Sequence, residues 1–296
     1  MGIDATSAIY LLSLKRSDTN FSSVLTLGRQ DISHIRAKDF DEIVAKSKIA
    51  IDDKTKKDIT SDKWADDLFR YLGASSVEAI DASDYEGADH IHDLNDSVPI
   101  ALHDKYDVVF DGGTLEHVYN IPNALLNCMK MVKIGGHFIS IAVCNNFVGH
   151  GFYQFSPEFF FRSLSKKRGF EIKDAIFVEL GHSPIRHPIW HRVPDPDVVR
   201  GRVTFTGNKR VYMIIRAQKI SSIDLSGVFP QQSDYENIRW KHVPSETMST
   251  NPIVSSYRAV RKAVIANAPD VVMDYLRDVR ARRRERQLLQ RMNPYE

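Results

Sequence analysis

Cysteine is almost missing from this chain of 296 residues: only Cys128 and Cys144 are present, both inside apolar segments. That excludes a disulfide framework and a multi-cysteine zinc centre, and it fits a reducing compartment, so a cytoplasmic location is expected. Net charge is scarce too, +2 from 40 Lys and Arg against 38 Asp and Glu. So small a balance does not argue for a surface that holds nucleic acid over its whole extent, and no nucleic-acid partner is expected. Apolar runs are short: none approaches the roughly 18 residues of a membrane-crossing helix. The patch AIYLL near the N-terminus is too short for a signal-peptide core and has no basic region before it. The sequence also lacks internal repeats and low-complexity segments. No G-x-G-x-x-G follows the first strand candidate, which counts against a dinucleotide-dependent dehydrogenase.

What is there is an ordinary globular composition, 43% apolar and 26% charged, long enough to bury a full core. Short β-branched runs alternate with helical patterns. SSVLTLG (22–28) is a strand candidate, followed by a polar stretch from about 36 to 63 and a helix over WADDLFRYLGA (64–74) that ends at Gly73. SSVEAIDAS (75–83), YDVVFDG (106–112) and HFISIAV (137–143) are further strands. Between the last two, Asn120 and Pro122 open a helix whose Leu125, Met129 and Val132 share one face and which Gly135-Gly136 end. A helix from Ser156-Pro157 to Gly169 precedes strands over 171–180 and 201–219, and the loop joining those two allows them to be antiparallel. Alternating strands and helices imply a parallel sheet covered on both faces. Beyond residue 220 the chain reads as a loop and then helical patterns, through Ile253, Tyr257, Val260 and Val264 and again after Pro269, closing in an arginine cluster at 280–286. The expected organisation is one domain over 1–220 with a polar insertion at about 36–63, and a C-terminal loop and helical extension over 221–296. Its helices offer a surface for homo-oligomer contact, and its arginines read as a solvated face or a grip for an anion or partner.

In an open parallel sheet, ligands bind beyond the carboxyl ends of the strands. After the first strand candidate stand Gly28, Arg29 and Gln30, and after the second Asp81, Ala82 and Ser83, with HDLN (92–95) soon after. The third is followed by Asp111, Gly112, Gly113, Glu116 and His117, and the fourth by Asn145 and Asn146, then GHGFYQFSP (149–157). An ionised acid at the end of the second strand can accept both hydroxyls of a ribose, and Asp93 suits an adenine amine or, equally, a turn cap. The set reads as an adenosine site.

The order AIDAS, HDLN, YDVVFDGGTLEHV and VKIGGHFISIA resembles the class I S-adenosylmethionine-dependent methyltransferases, over roughly residues 21 to 180. The resemblance implies a Rossmann-like, seven-stranded, mostly parallel α/β sheet with the C-terminal helical extension, and S-adenosylmethionine as cofactor. It implies that Asp81, with Ala82 and Ser83, holds the ribose, that Asp93 and Leu94 hold the adenine, and that Asp111, Gly112 and Gly113 line the methionine end. The first loop departs from the family: LTLGRQD carries Gly28 alone where three glycines are usual. Either Arg29 or Gln30 supplies contacts in their place, or cofactor binding is weakened or lost. The polar insertion then folds over the site as a lid or lengthens the first helical region.

Methyl transfer to a hydroxyl needs a general base. His150, between two glycines, is the first candidate and His117 the second, a structural role for His117 being equally open. Asn146, Tyr153 and Gln154, with Trp190 and Arg192 from a proline-rich loop, would hold a small-molecule or glycan acceptor. His182, His187 and His191 of that loop lack companion acids or cysteines, and no metal is required. The alternative is a methyltransferase-like fold that no longer catalyses and binds a partner through its arginine-rich tail.

Overall fold

The computed structural model describes residues 2–47, 49–181, 188–199, 202–225, 227–233, 235, 279, 282, 283, 285 and 287–292. Each apolar, β-branched run pairs with others in one sheet. Its strands are β1 (Ser23–Leu27), β2 (Ser76–Asp81), β3 (His90–Ile91), β4 (Tyr106–Asp111), β5 (Val132–Asn145), β6 (Phe170–Glu179), β7 (Ile189–Arg192), β8 (Val211–Lys219) and β9 (Gln290–Met292). Their order is β3-β2-β1-β4-β5-β8-β6-β7-β9. β3, β2, β1, β4 and β5 run parallel, while β8 is antiparallel to both β5 and β6. This is a doubly wound, Rossmann-like α/β sheet. It has nine strands rather than the expected seven, because the short β3 and the β7–β9 pair lengthen its two edges. The antiparallel relation of β6 and β8 is as expected, though β8 starts only at Val211.

Successive residues of a strand face opposite ways, and here they feed two cores. Val24, Val108, Phe110 and Ile139 join the first, with helices α1 (Ala5–Ser13), α2 (Ala37–Ser47), α3 (Asp53–Ser61) and α4 (Asp66–Leu72). Leu25, Leu27, Val109 and Phe138 join the second, with α5 (Ile121–Met131) and α6 (Pro157–Ser163). The AIYLL patch lies in α1, which Asp4 caps by accepting the Ser7 N–H at 2.8 Å; its residues 5–12 are all buried. The polar stretch after β1 forms α2 and α3, and Phe40, Ile43 and Ile59 sink from them into the first core. It lengthens the helical layer.

Two expectations need correction. The helix at 121 ends at Met131, not at Gly135-Gly136, because Val132 already pairs with Tyr106 at the start of β5. Gly136 is needed for another reason: a Cβ there would stand 2.7 Å from the Asp107 carbonyl oxygen of the neighbouring strand. The C-terminal region also contributes a strand, β9, which covers the otherwise free edge of β7; an unpaired edge would leave its backbone N–H and C=O groups open. The helical patterns at 253–264 and beyond Pro269 lie outside the described residues, as do Arg280, Arg284 and Arg286, whereas Arg282 and Arg283 are exposed. Among the described residues no helix is long and apolar enough to cross a membrane.

Since α1 is buried on nearly every face, it belongs to the folding unit. Leu11→Ala, at a fully buried position, is expected to lower stability by about 2–5 kcal/mol, measured by urea denaturation. A loss under about 0.5 kcal/mol, the usual size of a surface effect, would show the helix to be dispensable.

Candidate active site

The parallel strands end in register: Leu27 stands beside Ile80 of β2 and Asp111 of β4, and Asp111 beside Ser140 of β5. β1 has β2 on one side and β4 on the other, so the loops after β1 and β4 flank the point where the strand order reverses, the usual place for a ligand in such sheets.

Asp111 organises this edge. It is fully buried, and its Oδ1 accepts the backbone N–H groups of Thr114 (2.8 Å) and Leu115 (3.2 Å) while its Oδ2 accepts Ser140 Oγ–H at 2.7 Å. Burial pushes its carboxyl up from the ordinary value, against the lowering effect of these hydrogen bonds. The turn it braces carries Gly112 and Gly113, and Thr114 Oγ donates to the Leu27 carbonyl at 2.6 Å, joining the loops after β1 and β4. Asp111 is therefore a brace for the turn.

Gln30 fills the gap between those loops. Its Nε2 donates to the carbonyls of Leu27 (2.8 Å) and Gly28 (3.2 Å), and its buried Oε1 has no hydrogen-bond partner among the described residues. A Cβ at Gly112 would collide with that oxygen. Arg29 reaches the other way, to Asp66 (3.3 Å) and the Glu86 carbonyl (3.3 Å), over the ring of Trp64. Asp81 sits at the end of β2, and its carboxylate accepts one hydrogen bond among the described residues, from the Ser83 N–H at 3.1 Å. Ala82 and Ser83 are exposed beside it.

Asp93 is exposed and caps its own turn, accepting the N–H and side-chain amide of Asn95 at 2.9 and 2.8 Å. These bonds hold its carboxyl below the ordinary value. Leu94 is buried, and its carbonyl accepts the Asn127 amide at 3.2 Å. Asn127 also donates to the Asp96 carbonyl and accepts the Val98 N–H, pinning the whole 94–98 loop to α5. Sequence reading missed it; the signal was an amide on an otherwise apolar stretch of helix.

The remaining polar groups gather on the short 3-10 turn Leu115–His117 and the 146–155 loop. Glu116 is 1% exposed and its Oε2 has no hydrogen-bond partner among the described residues. Its Oε1 lies 3.6 Å from His150 Nε2. The His117 and His150 rings are 5.1 Å apart. Adjacent in sequence, Glu116 and His117 still converge on one spot because the backbone there is a tight turn, not an α-helix. Gly151, at φ 78°, lets the loop close on that turn: a Cβ would stand 2.7 Å from the Glu116 carbonyl oxygen and 3.1 Å from His117 Nδ1. The same carbonyl accepts the Phe152 N–H at 2.8 Å.

The other expected acceptor-binding residues are engaged or remote. Asn146, at φ 59°, spends its amide on the carbonyls of Gly207 and Lys209, and Gln154 accepts the Phe147 N–H. Tyr153 donates to the Tyr119 carbonyl at 2.7 Å, which holds it beside the cluster. Trp190 is 2% exposed and packs into the first core, so it is not at the crevice; Arg192 is exposed further along β7. His191 pairs with Glu179 at 2.7 Å, and His182 and His187 lie outside the described residues. Sequence reading passed over Tyr119 and Phe152, 72% and 65% exposed and packed edge to face 5.6 Å apart beside the cluster.

Burial, and then the charge of Asp111, push the Glu116 carboxyl up from 4.5 to about 8. Burial and then His150 lower the His117 imidazole. An acid with a raised folded-state pKa holds more protons folded than unfolded, so stability falls as pH rises between the two values. The protein is expected to lose stability from pH 4.5 to about 8, and Glu116→Gln to remove that loss. Urea midpoints taken across the range check this; parallel curves for the two proteins would contradict it.

No protein-family model matches the chain, and no curated protein does. Solved structures do. The branched-chain polyamine synthase of Thermus thermophilus, bound to N4-aminopropylspermidine and 5'-methylthioadenosine, is 14% identical at a TM-score of 0.38; the match covers 75% of this chain and 57% of the synthase. A Listeria monocytogenes protein described as an S-adenosylmethionine-dependent methyltransferase is 16% identical at 0.39, over 72% of this chain and 99% of its own. The 1,6-didemethyltoxoflavin-N1-methyltransferase of Burkholderia thailandensis, solved with its substrate and S-adenosylhomocysteine, is 13% identical at 0.39, over 74% and 80%. The chain thus spans little more than half the length of the synthase, and likeness at this level lends it no neighbour's reaction. The sheet order and register assign the fold themselves: a doubly wound, mostly parallel α/β sheet with its crevice beyond β1 and β4.

Proposed function

We propose that this chain transfers a methyl group from S-adenosylmethionine to a hydroxyl of a small molecule or glycan. The observation that carries the reading is the position of Asp81: an acid with a single hydrogen bond among the described residues, at the end of β2, beside the strand-order reversal where Gly28 and Gly112-Gly113 open the backbone. A carboxylate so placed accepts the two hydroxyls of a ribose. The methionine end then points along Gly112-Gly113 toward Glu116, His117 and His150.

The transfer is an in-line displacement. The acceptor oxygen bonds to the methyl carbon as the carbon–sulfur bond breaks, its electron pair staying on sulfur, and S-adenosylhomocysteine leaves as a neutral thioether. The hydroxyl proton goes to the His150 imidazole, half-exposed at the tip of its loop, whose Nε2 lies 3.6 Å from the Glu116 carboxyl. His117 lies beside it and is the second choice as base. Holding acceptor and methyl carbon together supplies much of the rate; Tyr153 and the exposed rings of Tyr119 and Phe152 offer a face on which a sugar or flat ring can stack.

One observation favours a second reading, a fold that binds a partner and no longer catalyses. The Gln30 side chain occupies the gap beside Gly112 where the first loop would otherwise stand open. Calorimetric titration with S-adenosylhomocysteine separates the two. On the methyl-transfer reading it binds, Asp81→Ala abolishes binding, and His150→Ala cuts turnover by about 10²–10⁴-fold with affinity nearly unchanged. On the second reading the wild type does not bind and Gln30→Gly alone restores a site. Equal affinity in Asp81→Ala and wild type would remove the ribose assignment.

A further inference from the structure

Glu116, His117 and His150 are three ligand-type side chains from two segments, the 3-10 turn after β4 and the loop after β5. Each offers one ligand atom, and all three atoms lie within 4.8 Å of one another. One carboxylate and two imidazoles form the donor set that holds zinc in catalytic sites and iron(II) in facial triads.

Three features of this cluster distinguish it from a chance meeting of polar groups. The first is distance. Two ligands about 2.1 Å from one zinc at a tetrahedral angle stand roughly 3.4 Å apart, and Glu116 Oε1 is 3.6 Å from His150 Nε2. That is too long for a good hydrogen bond and close to the edge of a coordination tetrahedron. The second is need. Glu116 is 1% exposed, its Oε2 has no hydrogen-bond partner among the described residues, and Gly113 offers no side chain above it. Buried carboxylates are otherwise paired or hydrogen-bonded, as Asp111 next to it is. The third is access. The Glu116 side hangs on the rigid edge of the sheet, whereas the His150 side chain is 50% exposed on a loop with glycines on both sides. It can close the remaining distance while leaving the outer side of an ion open.

We propose that Glu116, His117 and His150 bind one first-row divalent cation of the zinc type, with at least one coordination position open toward the crevice for an oxygen ligand. Binding needs neutral imidazoles and an ionised carboxylate, so affinity is expected to fall in acid. The site stands independently of methyl transfer. If the chain does transfer methyl groups, the loaded site changes the role of His150 from base to ligand, and a hydroxyl bound at the open position is acidified by the cation.

The test uses the full chain, stripped with a chelator, exchanged into clean buffer and titrated with Zn²⁺ by calorimetry and with Co²⁺ by visible absorption. Saturation at one equivalent is expected, with a cobalt spectrum of four- or five-coordinate type. His150→Ala and Glu116→Gln should each weaken binding by at least about tenfold, while the exposed His34→Ala should not. Thermal unfolding of each variant shows whether it is folded; should Glu116→Gln fail to fold, His150→Ala, on an exposed loop, decides. No saturable binding of either ion, or equal affinity in wild type and His150→Ala, overturns the site. Asp81→Ala keeps the two ideas apart: it should lose S-adenosylhomocysteine and retain Zn²⁺. A wild type that binds Zn²⁺ but not S-adenosylhomocysteine would sink the methyl-transfer reading alone.

Discussion

The buried carboxylate of Asp111 holds the functional edge of this sheet in one shape. Its two oxygens collect two backbone N–H groups from the turn that follows β4 and a hydroxyl from β5. The turn so fixed carries Gly112 and Gly113 past Gln30, gives the Thr114 hydroxyl to the end of β1, and sets the Glu116 carbonyl where the 146–155 loop docks. A carboxylate buried without those partners would cost several kcal/mol. The geometry of the turn and the satisfaction of the acid are one constraint, and the crevice is shaped by it.

Glu116 makes the contrast. Both acids are buried, and the charge of Asp111 helps to raise Glu116, yet Asp111 is hydrogen-bonded and Glu116 has one unpaired oxygen among the described residues. A satisfied buried acid is architecture. An unsatisfied one, aimed at two imidazoles on the rim of a crevice, is a group waiting for a proton or a cation. Gln30 repeats the pattern on a neutral amide: its donors are used and its oxygen is not. The orphaned Gln30 oxygen lies against Gly112, and the Glu116 carboxyl stands beside Gly113.

Most of the parallel sheet was legible in the sequence. The runs VLTL, VEAI, DVVF and FISIA are mostly apolar, as strands covered on both faces must be, and the first three are followed at once by Asp or Gly. The acids and glycines of the crevice could be named because strand ends in such a sheet share one edge. What failed were the inferences that depended on context. Gly135-Gly136 looked like a helix stop, but a neighbouring strand already claims Val132. Trp190 looked like a binding residue in a proline-rich loop, but it stands on a strand and points into the core.

The sequence by itself determined the parallel strands of the sheet, and so which polar residues stand at its carboxyl edge, since periodicity and turn chemistry are local properties. It did not determine that Glu116 and His150, 34 positions apart, would meet at 3.6 Å. Nor did it determine that Gln30 would fill the gap left by absent glycines, or that residues 290–292 would return to close the far edge. Those outcomes depend on which loops dock on which turns. Only the tertiary packing decides that, because the partners are separated in the chain and each is satisfied, or left unsatisfied, by the other alone.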